Sequence, residues 1–125
     1  MTISEVSRIT GLSQDTLRYY ERIKLIPAIK RSENGIREYE QSDVKWIDFV
    51  KCMRSVDLPI ETLIKYFQLV KLGDGTIEER KDLLKEQRNA LIKKRDEIEN
   101  TIERLNHKIA NYKSTMREKE IDLID

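Results

Sequence analysis

The apolar positions divide the chain into short helical stretches followed by one long one. Thr2-Ile3-Ser4-Glu5 has the form of a capping box, in which the Thr2 hydroxyl accepts from the Glu5 amide and Glu5 reaches back. Val6 and Ile9 then supply an inward stripe, and Gly11 ends the helix. Ser13 can cap a second helix, whose apolar face reads Leu17, Tyr20, Ile23. Its opposite face reads Asp15, Arg18, Tyr19, Arg22, so one side packs while the other offers cations and a phenol. Two short helices joined by a tight turn make a helix-turn-helix, a unit that also occurs as plain packing.

The stretch "AIKRSENGIREYE" changes that balance. Asn34-Gly35 favours a hairpin turn, and period-2 alternation sets Arg37 and Tyr39 on one side of the returning strand. A hairpin directly after a helix-turn-helix is a wing, here loaded with Lys30, Arg31 and Arg37. The alternative is a solvated hairpin carrying ordinary surface charge.

Ser42-Asp43 can start a third helix, with Val44, Trp46, Ile47, Phe49, Val50 and Met53 apolar. Leu58-Pro59 interrupts the chain, and Ile60, Leu63, Ile64 and Phe67 mark a fourth helix. Gly73-Asp74-Gly75 reads as a hinge, and Thr76 to Glu79 as a second capping box. From there Ile77, Leu84, Leu91, Ile98, Leu105 and Tyr112 recur every seven residues, flanked by Ile102, Ile109 and Met116. This is a heptad seam with Arg88 and Arg95 as polar exceptions, on a helix roughly 55 Å long. So long a helix with one narrow stripe calls for a second copy, with Leu84, Leu91, Ile98, Ile102, Leu105, Ile109 and Tyr112 at the homodimer contact. The expected organisation is a head over 1–72, a hinge at 73–75, a dimerisation coiled coil over 76–113 and a charged, fraying tail over 114–125.

Composition adds limits. The chain has 125 residues, four Gly and two Pro, which fits one small, mainly α domain plus an extension. The net charge is only +1, so a nucleic-acid case rests on where the charges lie. A single cysteine allows no internal disulfide, no Cys/His cluster suggests zinc, and no apolar run approaches the ~20 residues of a membrane span. A reducing, cytoplasmic setting without cofactor, metal or membrane partner is expected. No nucleophile-base set or phosphate-binding glycine loop suggests an enzyme. A coiled-coil adaptor that binds protein is the rival from another class, though it has no reason to combine an Arg18/Tyr19/Arg22 stripe with a cationic wing.

"LRYYERIKLIP", the wing "RSENGIREY" and the order winged helix-turn-helix, helix pair, long dimer helix together resemble the MerR family of bacterial transcription regulators. Lys24 departs from the glycine usual after that helix. The resemblance implies that the second helix enters the major groove of double-stranded promoter DNA through Arg18 and Tyr19, with Arg22 on a phosphate. It implies that Arg37 contacts the backbone, and that Tyr39 either joins it or braces the wing. Family dimers, paired antiparallel, act with RNA polymerase at promoters whose recognition elements are too far apart or wrongly phased, and distort the DNA between them.

Metal-responsive members carry cysteines near the positions of 81–85 and after Tyr112, where this chain has none. "KCMRSVDLPIE" resembles instead the subgroup that answers reactive aldehydes or thiol stress through one cysteine, here Cys52. Lys51 and Arg54 are neighbours that could favour its thiolate. The alternatives are that Cys52 is a small core hydrophobe beside Phe49 and Val56, or is inert while a non-covalent small molecule is the effector.

Overall fold

The computed structural model describes all of residues 1–125 and resolves into two units, Met1–Lys85 and Glu86–Asp125. In the first unit, α1 (Ile3–Thr10) starts where the Thr2 hydroxyl accepts from the Glu5 amide at 3.1 Å. It ends at Gly11, whose φ of +76° is open to glycine without Cβ strain. The buried stripe of this short helix is Val6 and Thr10, not Val6 and Ile9 as expected. Ile9 is 58% exposed, whereas the Thr10 hydroxyl is buried and satisfied by donating to the Val6 carbonyl at 2.8 Å. Helix α2 (Gln14–Arg22) is capped by Ser13, which accepts from the Thr16 amide.

Lys24 takes φ +65° at the end of α2. There the chain reverses, so that the Leu25 amide donates to the Tyr20 carbonyl at 2.9 Å and Leu25 and Ile26 turn inward. The wing is slighter than a two-stranded hairpin: one antiparallel bridge, Arg31 with Arg37, closes it. Only Gly35 of the Asn34-Gly35 pair has positive φ.

Helix α3 (Gln41–Arg54) begins ahead of the expected Ser42-Asp43 start. The Asp43 carboxylate reaches back to accept from the Glu40 amide at 2.8 Å. Helix α4 (Ile60–Lys71) follows Pro59. Val6, Leu17, Leu25, Ile47, Val50, Leu58 and Leu63 are almost wholly buried and hold α1 to α4 together, each worth about 1.5–3 kcal/mol of apolar burial. Trp46, Phe49, Tyr66 and Phe67 pack ring against ring, with Trp46 and Phe67 edge to face at 5.2 Å.

The expected hinge is a pinned turn. A short 3₁₀ segment, Asp74–Thr76, precedes α5 (Ile77–Ala110). Thr76 is buried, and its hydroxyl donates to the Leu69 carbonyl at 2.7 Å while accepting from Arg80 Nε. That arrangement replaces the capping box expected from Thr76 and Glu79. Leu83 is buried and Leu84 packs against the same core, so the first unit keeps the opening turns of α5.

In the second unit, α5 continues to Ala110 and no further. The Asn111 amide donates to the His107 carbonyl, and a π-turn over Lys113–Arg117 leads into α6 (Glu118–Ile124). The tail expected to fray is therefore helical, and the Tyr112 hydroxyl donates to Glu120 across the π-turn at 2.7 Å.

Candidate nucleic-acid interface

The outward face of α2 and the wing enclose a cleft of about 660 Å³, and its lining is strongly one-sided in charge. Arg18, Arg22, Lys24, Arg31, Arg37 and Lys71 supply six cations against the single carboxylate of Glu21. A chain with a net charge of only +1 thus gathers a quarter of its basic side chains in one concavity, a geometry that suits a phosphate backbone.

The helix contributes Arg18 and Arg22, one turn apart, to the cleft, with Tyr19 beside them on α2 but outside the lining. Arg18 donates to Asp15 at 3.1 Å and to Gln14 at 3.3 Å, with its side chain 43% exposed. Such solvated pairs are worth little, so the guanidinium is free to exchange them for a phosphate or a guanine edge. Arg22 lies over the Tyr19 ring, 5.3 Å from its centroid, which steadies both in a cation–π contact. Tyr20 turns inward and is buried, as its apolar-face position implies.

The wing contributes two arginines in different states. Arg31 is exposed and donates to the Gly35 carbonyl at 2.9 Å, which holds the turn. Arg37 is only 22% exposed and donates through Nε to Glu21 at 2.7 Å. The other Glu21 oxygen accepts from the Ile29 amide at 2.9 Å. Burial pushes the Glu21 carboxyl up, but the Arg37 hydrogen bond, the Ile29 amide and the charges of Arg37 and Arg31 outweigh it and set it below its ordinary value. Lys30 is exposed, with its carbonyl accepting from the Glu38 amide at 2.7 Å.

Tyr39 does not join this surface. It is 2% exposed, burial pushes its phenol up, and its hydroxyl has no partner. Its backbone pairs with Met1 in both directions at 2.8 Å, so bracing the wing is the role that its burial allows.

Glu21, Lys24 and Lys71 line the cleft beyond the residues that the sequence marks. Lys24 had a signal, since a lysine where the chain must reverse carries its charge to the rim of the helix. Lys71 had none, because only the packing of α4 brings it to the cleft.

Cys52 is exposed on α3, which removes the core-hydrophobe alternative. The neighbours expected to favour its thiolate are committed elsewhere. Lys51 donates to the Thr10 carbonyl and Arg54 to the Leu58 carbonyl, both at 2.5 Å. In the second unit Leu91, Ile98, Ile102, Leu105, Ile109 and Tyr112 are all exposed, an apolar stripe that α5 leaves uncovered. Leu84 stands apart from them, half-buried against the first unit's core.

The family described as MerR HTH family regulatory protein matches residues 1–69. The HTH-type transcriptional regulator AdhR of Bacillus subtilis is 51% identical over 92 residues, covering 74% of this chain and 66% of that protein, just under two thirds of its length. A MerR-family transcriptional regulator from Listeria monocytogenes superposes with a TM-score of 0.66 at 42% identity, covering 100% of this chain and 95% of that one. HiNmlR, described as a MerR family regulator lacking the sensor domain and bound to promoter DNA, superposes at 0.60 with 26% identity over 90% of each chain. These relatives are transcription regulators, not enzymes.

Proposed function

Because the chain belongs to the MerR family of helix-turn-helix regulatory proteins, we propose that it is a homodimeric transcription regulator that grips and distorts promoter DNA and is switched at Cys52. The observation that carries the reading is the six-cation cleft between α2 and the wing, on the face that a helix-turn-helix presents to a major groove. Arg18 and Tyr19 read or grip from α2, Arg22 and Lys24 hold phosphate, and Arg31, Arg37 and Lys30 grip the flanking backbone from the wing.

The second unit supplies the dimer. Four residues after each seam position stand Lys81, Arg88 and Arg95 in the first half of α5, and Ile102, Ile109 and Met116 further on. A parallel pairing would set arginine on arginine within the seam. An antiparallel pairing sets the arginines against the isoleucine half of a second copy and avoids that repulsion. Two reading heads held at a fixed separation favour a duplex bent or untwisted to match them, which is how spacing between promoter elements comes under control and how RNA polymerase gains access.

Cys52 is the switch in this reading because its thiol is open to solvent. A reactive aldehyde takes the sulfur at its carbonyl carbon, the thiol proton passes to the carbonyl oxygen, and a hemithioacetal forms without any oxidant. The adduct enlarges the outer face of α3 beside Phe49 and Val56, both exposed.

In vitro transcription from the DNA upstream of this protein's own gene tests the whole reading, comparing wild type with Cys52→Ala, each with and without aldehyde. Aldehyde-dependent activation that the variant loses supports it. Activation that ignores Cys52 would return the effector role to a non-covalent small molecule. Absence of specific DNA binding would favour the adaptor.

A further inference from the structure

Glu21 is out of place in a surface built to hold DNA. A carboxylate in the lining of a cleft that holds six cations repels the phosphates that the cations attract. Its geometry shows what offsets that repulsion. One oxygen takes Arg37 Nε at 2.7 Å and the other takes the Ile29 amide at 2.9 Å, so a single α2 side chain holds both the approach to the wing and its return. Glu21 and Arg37 are 14% and 22% exposed, and the pair closes a sixteen-residue excursion of the chain, tying to α2 a wing whose own backbone bonds, Glu38 to Lys30 and Ser32 to Ile36, join it only to itself. The contact engages Nε, and Arg37 is among the residues that line the cleft.

The geometry points to Glu21 as the positioning residue of the interface: it orients Arg37 so that the terminal nitrogens of the guanidinium face a backbone phosphate, and it fixes the wing at one distance from α2. The inference rests on the DNA-binding reading and deepens it. Arg37 then acts as an oriented fork, not a mobile point charge. Lysine at that position reaches either the carboxylate or the phosphate, and not both.

The two accounts of Glu21 predict opposite signs. If it is only a stray negative charge, Glu21→Gln removes repulsion and tightens binding. If it positions Arg37, Glu21→Gln weakens binding although each copy gains positive charge, because Arg37 and Ile29 donate to different oxygens and the amide replaces one of these with an NH2 group that cannot accept.

The test uses the full chain and a duplex selected by the wild type from a random-sequence library, with affinity measured at several salt concentrations. Glu21→Gln is expected to weaken binding on the order of tenfold and to flatten its salt dependence. In an Arg37→Gln background the same change has little further effect. Tighter or unchanged binding overturns the inference, as does an equal loss in both backgrounds. Circular dichroism at the assay temperature verifies folding. Should Glu21→Gln unfold the head, Arg37→Lys carries the test, with a comparable loss expected and wild-type affinity overturning the inference. A wild type that selects no duplex overturns the DNA-binding reading itself, and this inference with it.

Discussion

Lys51 donates its ammonium to the Thr10 carbonyl at 2.5 Å, tying α3 to the last turn of α1 across forty-one residues of chain. A cation at a helix C-terminus satisfies an orphan carbonyl and opposes the negative end of the helix dipole. The hydrogen bond gives Lys51 a structural task at the contact of α1 and α3. Lys51→Met is expected to lower stability by about 1 kcal/mol, read as a fall in Tm. The alkylation rate of Cys52 in the folded protein should stay at the wild-type value. A slower reaction at unchanged Tm would return Lys51 to the thiol.

Tyr39 carries a buried hydroxyl with no partner. Removing such a group relieves its desolvation, so Tyr39→Phe should be neutral or stabilising by about 1 kcal/mol in chemical denaturation. DNA affinity should not change. A loss of affinity at wild-type stability would mean that the hydroxyl comes out to meet the duplex.

Lys24 holds a positive φ that costs an L side chain roughly 1–2 kcal/mol, partly offset for glycine by the freedom it gains when unfolded. Lys24→Gly should therefore raise stability by up to about 1 kcal/mol while weakening DNA binding by removing a cation. Opposite signs in the two assays are the diagnostic outcome. A variant that binds DNA as tightly as wild type removes Lys24 from the interface.

Glu21 sits below its ordinary carboxyl value of 4.5 in the folded protein. A depressed value means that the unfolded chain binds the proton more readily, so the group stabilises the fold above about pH 4.5. That contribution disappears as the pH falls through the lower folded value. Thermal unfolding from pH 7 down to pH 2 should show wild type losing stability more steeply below pH 4.5 than Glu21→Gln. Parallel curves would show that the Glu21–Arg37 pair adds no stability.

What could be read from the chain was whatever its neighbours along the chain decide. Thr2 and Ser13 cap their helices because the acceptor and its amide lie three residues apart, and Gly11 ends α1 by its own backbone freedom. Arg18, Tyr19 and Arg22 share a face by helical spacing alone. Reading failed where tertiary packing chose between local options. Thr76 was free to cap α5, but burial against α4 turned its hydroxyl to the Leu69 carbonyl. Ile9 and Thr10 competed for one inward position, and a threonine that can bond back to Val6 fills it. Asn34-Gly35 predicted the turn, but a single bridge and a few turn hydrogen bonds, not a ladder, close the wing, and the Glu21 carboxylate ties it to α2. Glu21 and Lys71 line the cleft only because the fold brings α2, the wing and the end of α4 together there.

The central claim is that the face of α2 and the wing holds a DNA backbone. Its most direct test is the slope of log affinity against log salt for the full chain and for Arg18→Ala on the same duplex. Removing one arginine–phosphate pair should flatten the slope by about one per copy, with affinity falling by roughly 1–3 kcal/mol. Flattening of that size in the variant is the predicted result. A slope and an affinity that Arg18→Ala leaves unchanged would contradict the account.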